Sequence, residues 1–100
     1  MATLHVENTV HDFETWKAVF DKFDRLRAEY KVLSYRLGRD VEEPNRVGVD
    51  LDFESIEDAE AFRIQLEKIW QTPQSKAQIA GHASARLFDV VESVGVGVPA

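Results

Sequence analysis

The sequence predicts an α+β fold in which a four-stranded antiparallel sheet carries two helices on one of its faces. Three observations lead there. Apolar residues repeat at every second position in short, separate stretches, the period of strands with one buried face. Two longer stretches between them repeat at three and four, the period of an amphipathic helix. The order of these stretches is strand, helix, strand, strand, helix, strand within 100 residues, one domain's worth of chain.

The first strand holds Leu4, Val6 and Val10, alternating with His5, Glu7 and Thr9, while Asn8 interrupts the apolar row. Asp12 is a good helix N-cap. From Phe13 the period changes: Phe13, Trp16, Val19, Phe20, Phe23, Leu26 and Tyr30 form one stripe, which predicts a single helix. Asp21 and Arg25 on its polar side stand four apart in the favourable acid-first order. Arg25 and Arg27 near its end suit the helix dipole. Val32 to Arg39 is the second strand, with Leu33, Tyr35 and Leu37 on one side. Asp40 to Arg46 is a polar loop with a turn at Pro44-Asn45. The third strand sets Val47, Val49, Leu51 and Phe53 against Gly48, Asp50 and Asp52.

Ser55 with Asp58 is similar to a capping box and opens the second helix, striped by Ile56, Ala59, Phe62, Leu66, Ile69 and Trp70. Thr72-Pro73 restarts the chain, since Thr caps and Pro fits the first helical position. The short segment Gln74 to Ala80 is expected to end at Gly81 as a helix C-terminal residue. Ala83 to Val91 is the last strand. Residues 1–93 form the expected single domain and 94–100 a flexible tail. Burying all the apolar sides together gives a ferredoxin-like βαββαβ sandwich.

Composition excludes several functions. Twelve Lys and Arg against 18 Asp and Glu give a net charge of −6, the wrong sign for neutralising phosphates, so no nucleic-acid partner is expected. RNA-recognition domains share this element order but need aromatic residues and a basic surface on the open sheet, where this chain has Gly48, Asp50 and Asp52. No apolar run approaches the roughly 18 residues of a membrane span, and the first ten residues lack the pattern of a secretory signal. No cysteine is present, hence no disulfide, thiolate nucleophile or zinc–thiolate site. A cytoplasmic location is the expectation.

Helices cover only one sheet face, so Val47, Val49, Leu51 and Phe53 should point at Phe20, Phe23 and Phe62. The other face then shows His5, Glu7, Thr9, Gly48, Asp50 and Asp52, a pattern that solvation alone explains. Leu87, Phe88, Val90 and Val91 make the last strand apolar on both faces. A second copy meeting this one sheet to sheet would cover the outer side, so a homodimer is expected.

The stretches ENTVHDFETWKAVFD (Glu7 to Asp21) and YRLGRDVEEPNRVGVDLDFESIEDAEAF (Tyr35 to Phe62) resemble the antibiotic biosynthesis monooxygenase-like dimeric α/β-barrel family, in particular its short actinobacterial members labelled cyclase or monooxygenase. The resemblance covers about residues 3 to 92. It rests on the aromatic-plus-Trp helix start, the R-D-x-x-x-P-N hairpin and the aromatic-E-S-x-E-x-A helix start, which are packing and turn signals that speak to fold more than reaction. It implies a homodimer whose sheets form a barrel, with a cavity between each sheet and its helices. Relatives span cofactor-free oxygenation of polyketide phenols and quinols, haem breakdown, and members without known activity. Asn8 matches the first-strand Asn of the haem-degrading branch; Trp70 and His82 do not fall at that branch's positions, which argues against haem chemistry.

Asn8 has two readings: a side chain orienting a substrate carbonyl or enolate oxygen, or a strand-end amide bonded to the backbone near the His11 turn. His82, at the start of the last strand, could act as a base if the strand mouth opens into a cavity; Asn8 and His82 are thus the catalytic candidates. His5 lies near Glu7, which could hold one imidazole tautomer. For all three histidines, including His11, a structural role is the commoner one. Trp16, Phe20, Phe23, Tyr35, Phe62 and Trp70 supply aromatic mass, more often simply core. The resemblance makes Trp70 and Tyr35 cavity-wall residues, and Phe62 and Phe23 complete the substrate-binding candidates. Arg36 and Arg86 could bind an anion, or pair with Asp50, Asp52 and Glu7.

No His-x-x-x-His spacing or calcium-loop pattern exists, so no metal is expected. No phosphate loop, nucleophile elbow or dinucleotide fingerprint is present, so no cofactor is expected either. The reading is a homodimeric small-molecule-binding barrel, a cofactor-independent monooxygenase or cyclase acting on an aromatic or polyketide-like compound. The alternative is a non-catalytic metabolite-binding or interaction dimer. The first predicts a cavity of roughly 300 Å³ or more in each protomer.

Overall fold

The computed structural model describes residues 1–97; of the expected 94–100 tail, residues 98–100 lie outside the described residues. The element order is β1 (Ala2–Val10), α1 (Phe13–Lys22), α2 (Asp24–Glu29), β2 (Ser34–Arg39), β3 (Arg46–Phe53), α3 (Ile56–Trp70), α4 (Pro73–Gln78) and β4 (Ile79–Asp89). The strands form one antiparallel sheet in the order β2-β3-β1-β4, and the helices lie on one of its faces. This is the ferredoxin-like α+β fold that the element order implies.

The two central strands carry the core. Burial in β1 and β3 alternates strictly, and Leu4, Val6, Val47, Val49, Leu51 and Phe53 all face the helices. Leu4 pairs with Leu51, Val6 with Val49 and Asn8 with Val47, so Asn8 stands in the buried row. Ala59 and Phe62 of α3 pack on this layer, and Phe13, Trp16, Phe20 and Leu26 of the first two helices close it, with Tyr30 just past the end of α2. Removing this apolar surface from water is the main stabilising term.

Three of the four helices, α1, α3 and α4, start on a side-chain cap. Asp12 Oδ2 accepts from the Thr15 N–H at 2.9 Å and its hydroxyl at 2.7 Å. Ser55 Oγ accepts from the Asp58 N–H at 3.1 Å, and Thr72 Oγ1 from the Ser75 N–H at 3.3 Å. All three satisfy first-turn donors that have no partner inside the helix.

The expected single helix from Phe13 to Tyr30 is two helices, broken at Phe23. There the backbone turns back: the Phe23 N–H donates to the Phe20 carbonyl at 3.2 Å, and so does Nη1 of Arg27, at 2.8 Å. The guanidinium thus takes up a carbonyl at the end of α1, which makes the joint stable. The last helix and strand also differ from expectation. α4 ends at Gln78, and β4 begins at Ile79 because that residue pairs with Val10, so Gly81 lies within the strand and not at a helix end. At its other end β4 stops at Asp89; the Val90 N–H donates to the Met1 carbonyl at 3.0 Å, and Val91 is exposed.

Candidate functional site

A cavity of about 100 Å³ lies between the sheet and the helices. Its floor is the buried row of the sheet, Val6 and Asn8 from β1 with Val49 and Leu51 from β3. One wall comes from the broken helix pair: Trp16, Val19 and Phe20 of α1, Phe23 at the joint, Leu26 and Arg27 of α2. The other comes from Phe62, Leu66, Ile69 and Trp70 of α3, with Ser75, Gln78 and Ile79 beyond the Thr72-Pro73 restart. The volume is a third of the expected 300 Å³ because five aromatic side chains lean into it. Trp16 and Phe20 stack with ring centroids 5.1 Å apart, and Phe62 packs at 5.8 Å from Phe53. An apolar cavity of about 150 Å³ holds one benzene ring, so this space is on the scale of a single ring.

Polar groups in the lining are few. Asn8 is 5% exposed, and its Oδ1 has no hydrogen-bond partner. The backbone at the His11 turn is served instead by Asn45, whose Nδ2 donates to the His11 carbonyl at 3.2 Å. An amide acceptor left open in an apolar floor is a place to hold a ligand hydrogen. Arg27 is 6% exposed and also lines the cavity. The sequence reading placed it with the dipole-compensating end of the helix, yet it stands four after Phe23 and seven after Phe20. That spacing was the available signal: an arginine on the apolar stripe.

The other candidates divide. Phe23, Phe62 and Trp70 line the cavity with Asn8. Tyr35 does not: it is 42% exposed on the edge strand β2 and meets Phe20 edge-on at 5.4 Å, supporting the wall from behind. His82 is exposed and is not a lining residue, because β4 has already begun three residues before it. The strand is irregular there, its register passing from Asn8↔Ala83 to Val10↔Ile79. Asn8 and His82 are therefore not brought together around the cavity.

The opposite sheet face is polar. His5 Nδ1 lies 2.6 Å from Asp50 Oδ1 and its Nε2 lies 3.6 Å from Glu7. Asp52 accepts from the Thr3 hydroxyl at 2.7 Å and the Ser34 hydroxyl at 3.3 Å. With these acids occupied, Arg36 and Arg86 make no ion pair among the described residues. No group of three or more His, Cys, Asp or Glu is placed to hold a metal among the described residues, and no helix among them is long and apolar enough to cross a membrane.

Two solved structures share this whole architecture. One is a crystal structure of an antibiotic biosynthesis monooxygenase, 14% identical, with a TM-score of 0.55 over 92% of this chain and 100% of that one. The chain shares that protein's ferredoxin-like α+β fold. The other is a Deinococcus radiodurans protein assigned to the same group, 8% identical, with a TM-score of 0.56 over 96% of this chain and 98% of that one. No family model matches the chain, and no curated protein matches it. At these identities the likeness concerns backbone architecture, and function has to be argued from the site.

Proposed function

We propose that this protein is a homodimeric α/β barrel that binds a small aromatic molecule in the cavity between sheet and helices. One observation carries the reading: an apolar, single-ring-sized cavity at whose floor a buried amide oxygen, Asn8 Oδ1, has no partner. Folded proteins rarely leave such an acceptor open, because burying it unpaired disfavours folding by about 1–3 kcal/mol. A ligand hydroxyl or amino hydrogen removes that penalty. The size of the cavity selects one ring of an aromatic or polyketide-like compound, with further rings left outside or admitted only if the helix pairs part.

The reaction we assign to this site is cofactor-independent oxygenation, or cyclisation, of an electron-rich aromatic compound. The two structural neighbours named as monooxygenases support it, as does the apolar lining. A specific observation favours a second reading, a metabolite-binding dimer without turnover: the lining contains no carboxylate or imidazole to remove a proton.

Both tryptophans of the chain, Trp16 and Trp70, line the cavity, so their emission reports occupancy directly. Titration with a panel of single-ring phenols and quinols should quench or shift it with saturation, and Asn8→Ala should weaken that binding. Emission that stays flat across the panel refutes the ligand-binding reading. Oxygen uptake with the compounds that bind then separates the enzyme from the non-catalytic dimer.

A further inference from the structure

Arg27 is the one charged residue among those lining the cavity. It is more than nine-tenths buried, and a guanidinium stays protonated in proteins. Its companions are all neutral. Nη1 donates to the Phe20 carbonyl at 2.8 Å, and the guanidinium carbon stands 4.0 Å from the Phe20 ring centroid and 5.0 Å from that of Tyr35. Among the described residues it makes no ion pair. A helix-end carbonyl and two ring faces offset part of the cost of burying a cation, but they do not neutralise it.

The Nε–H of Arg27 is buried and has no partner. Arg63 Nε is also unpartnered, but Arg63 pairs with Glu60 at 2.7 Å and lies outside the cavity lining. Two residues of the lining therefore each carry a buried polar atom without a partner: Arg27, a cationic donor, in the wall, and Asn8, an amide acceptor, in the floor.

We infer that the ligand is a single-ring aromatic monoanion, with an anionic oxygen as the counter-charge of Arg27 and a hydroxyl or amino hydrogen for Asn8 Oδ1. This rests on the ligand-binding reading of the cavity and adds the charge and polarity of what binds. A hydrogen bond to a charged group contributes about 1.5–3 kcal/mol, so the anion should bind roughly tenfold or more tighter than a neutral molecule of the same shape. The anionic oxygen is a carboxylate or a phenolate, and both are covered by the test.

The test titrates the full chain with para-hydroxybenzoate, para-nitrophenol and neutral para-hydroxybenzamide, followed by tryptophan emission. Hydroxybenzoate binding at least tenfold tighter than the amide in the wild type, with that ratio lost in Arg27→Gln, supports the inference. Equal binding of acid and amide by the wild type overturns it and leaves the cavity reading standing. A preference that survives in Arg27→Gln also overturns it. If none of the three binds, the ligand-binding reading fails and this inference with it.

A second measurement needs no variant. Beside a guanidinium, bound para-nitrophenol should ionise about 1 pH unit or more below the free compound, seen in its visible absorbance. An unchanged or raised ionisation overturns the inference. Nitrophenolate has no hydrogen to offer Asn8 Oδ1, so it tests the anion at Arg27 alone, while hydroxybenzoate tests both contacts together.

Discussion

His5 Nδ1 and Asp50 Oδ1 lie 2.6 Å apart across β1 and β3, on the sheet face that the helices leave bare. Cross-strand register extends this pair into a row, Arg36–Asp50–His5–Arg86, spanning all four strands. In the next row Phe88 stands opposite Thr3, 52% exposed. A polar row beside an exposed aromatic is the composition of a contact surface with a wet rim and an apolar anchor.

The proposed sheet-to-sheet dimer should therefore depend on Phe88. Phe88→Glu places a new charge near Asp52 and Asp89 and should weaken association at least tenfold, with an unchanged circular dichroism spectrum. Sedimentation equilibrium of both proteins checks this. A wild type that stays monomeric at all concentrations, or a variant that dimerises equally well, refutes the arrangement.

Asn8 should trade stability for binding. Asn8→Leu removes an unpaired buried acceptor and fills apolar space, so unfolding by urea should need about 1 kcal/mol more free energy than for the wild type. Ligand-dependent quenching of the tryptophans should be lost in the same variant. A destabilised Asn8→Leu protein indicates that the amide has a native partner.

Lys31 has φ of +66°, in the left-handed region, where it closes α2. The Val32 N–H donates to the Arg27 carbonyl and the Lys31 N–H to the Ala28 carbonyl, both at 3.1 Å, the hydrogen-bond pair of a Schellman end. A side chain there carries a penalty of roughly 1–2 kcal/mol that glycine avoids, partly offset by the freedom glycine has when unfolded. Lys31→Gly should raise the thermal midpoint even though it deletes the exposed 3.8 Å contact with Asp58. A lower midpoint contradicts this account.

Acid should loosen the start of α1. Hydrogen bonds from the Thr15 hydroxyl, and then from the Thr15 N–H, hold the Asp12 carboxyl below its ordinary range. A group whose folded value is depressed contributes stability that is present above its unfolded value and lost as pH falls through the folded one. Asp12→Asn keeps a capping oxygen but no titration, so its thermal midpoint should fall less on acidification than that of the wild type. Parallel pH profiles for the two proteins exclude the assignment.

Much of the fold was legible because β1 and β3 obey a strict period of two, and that period alone assigned their faces. Asn8 stood out as the one polar residue in an apolar row, and it is part of the cavity floor. The break at Phe23 was not legible: the apolar stripe runs through it unchanged, and what stabilises the turn is a side chain from the next helix, Arg27, reaching the Phe20 carbonyl. The start of β4 was hidden for a similar reason. Ile79 to Gly81 read locally as the end of a helical segment, and only pairing with Val10 makes that stretch a strand. Tyr35 was assigned to the wall from the resemblance; its edge-strand position leaves it outside the lining.

The alternation along β1 has a genetic consequence. One face of that strand supplies the open amide of the cavity, and the other supplies His5 and Glu7 to the bare surface. Substitutions can therefore adjust either side independently, one codon at a time. An in-frame insertion or deletion of a single codon within β1 cannot, because it exchanges the two faces downstream of the lesion, putting an imidazole or a carboxylate into the core. Among natural variants of this chain, length changes should collect in the Asp40–Arg46 loop and be absent between Ala2 and Val10.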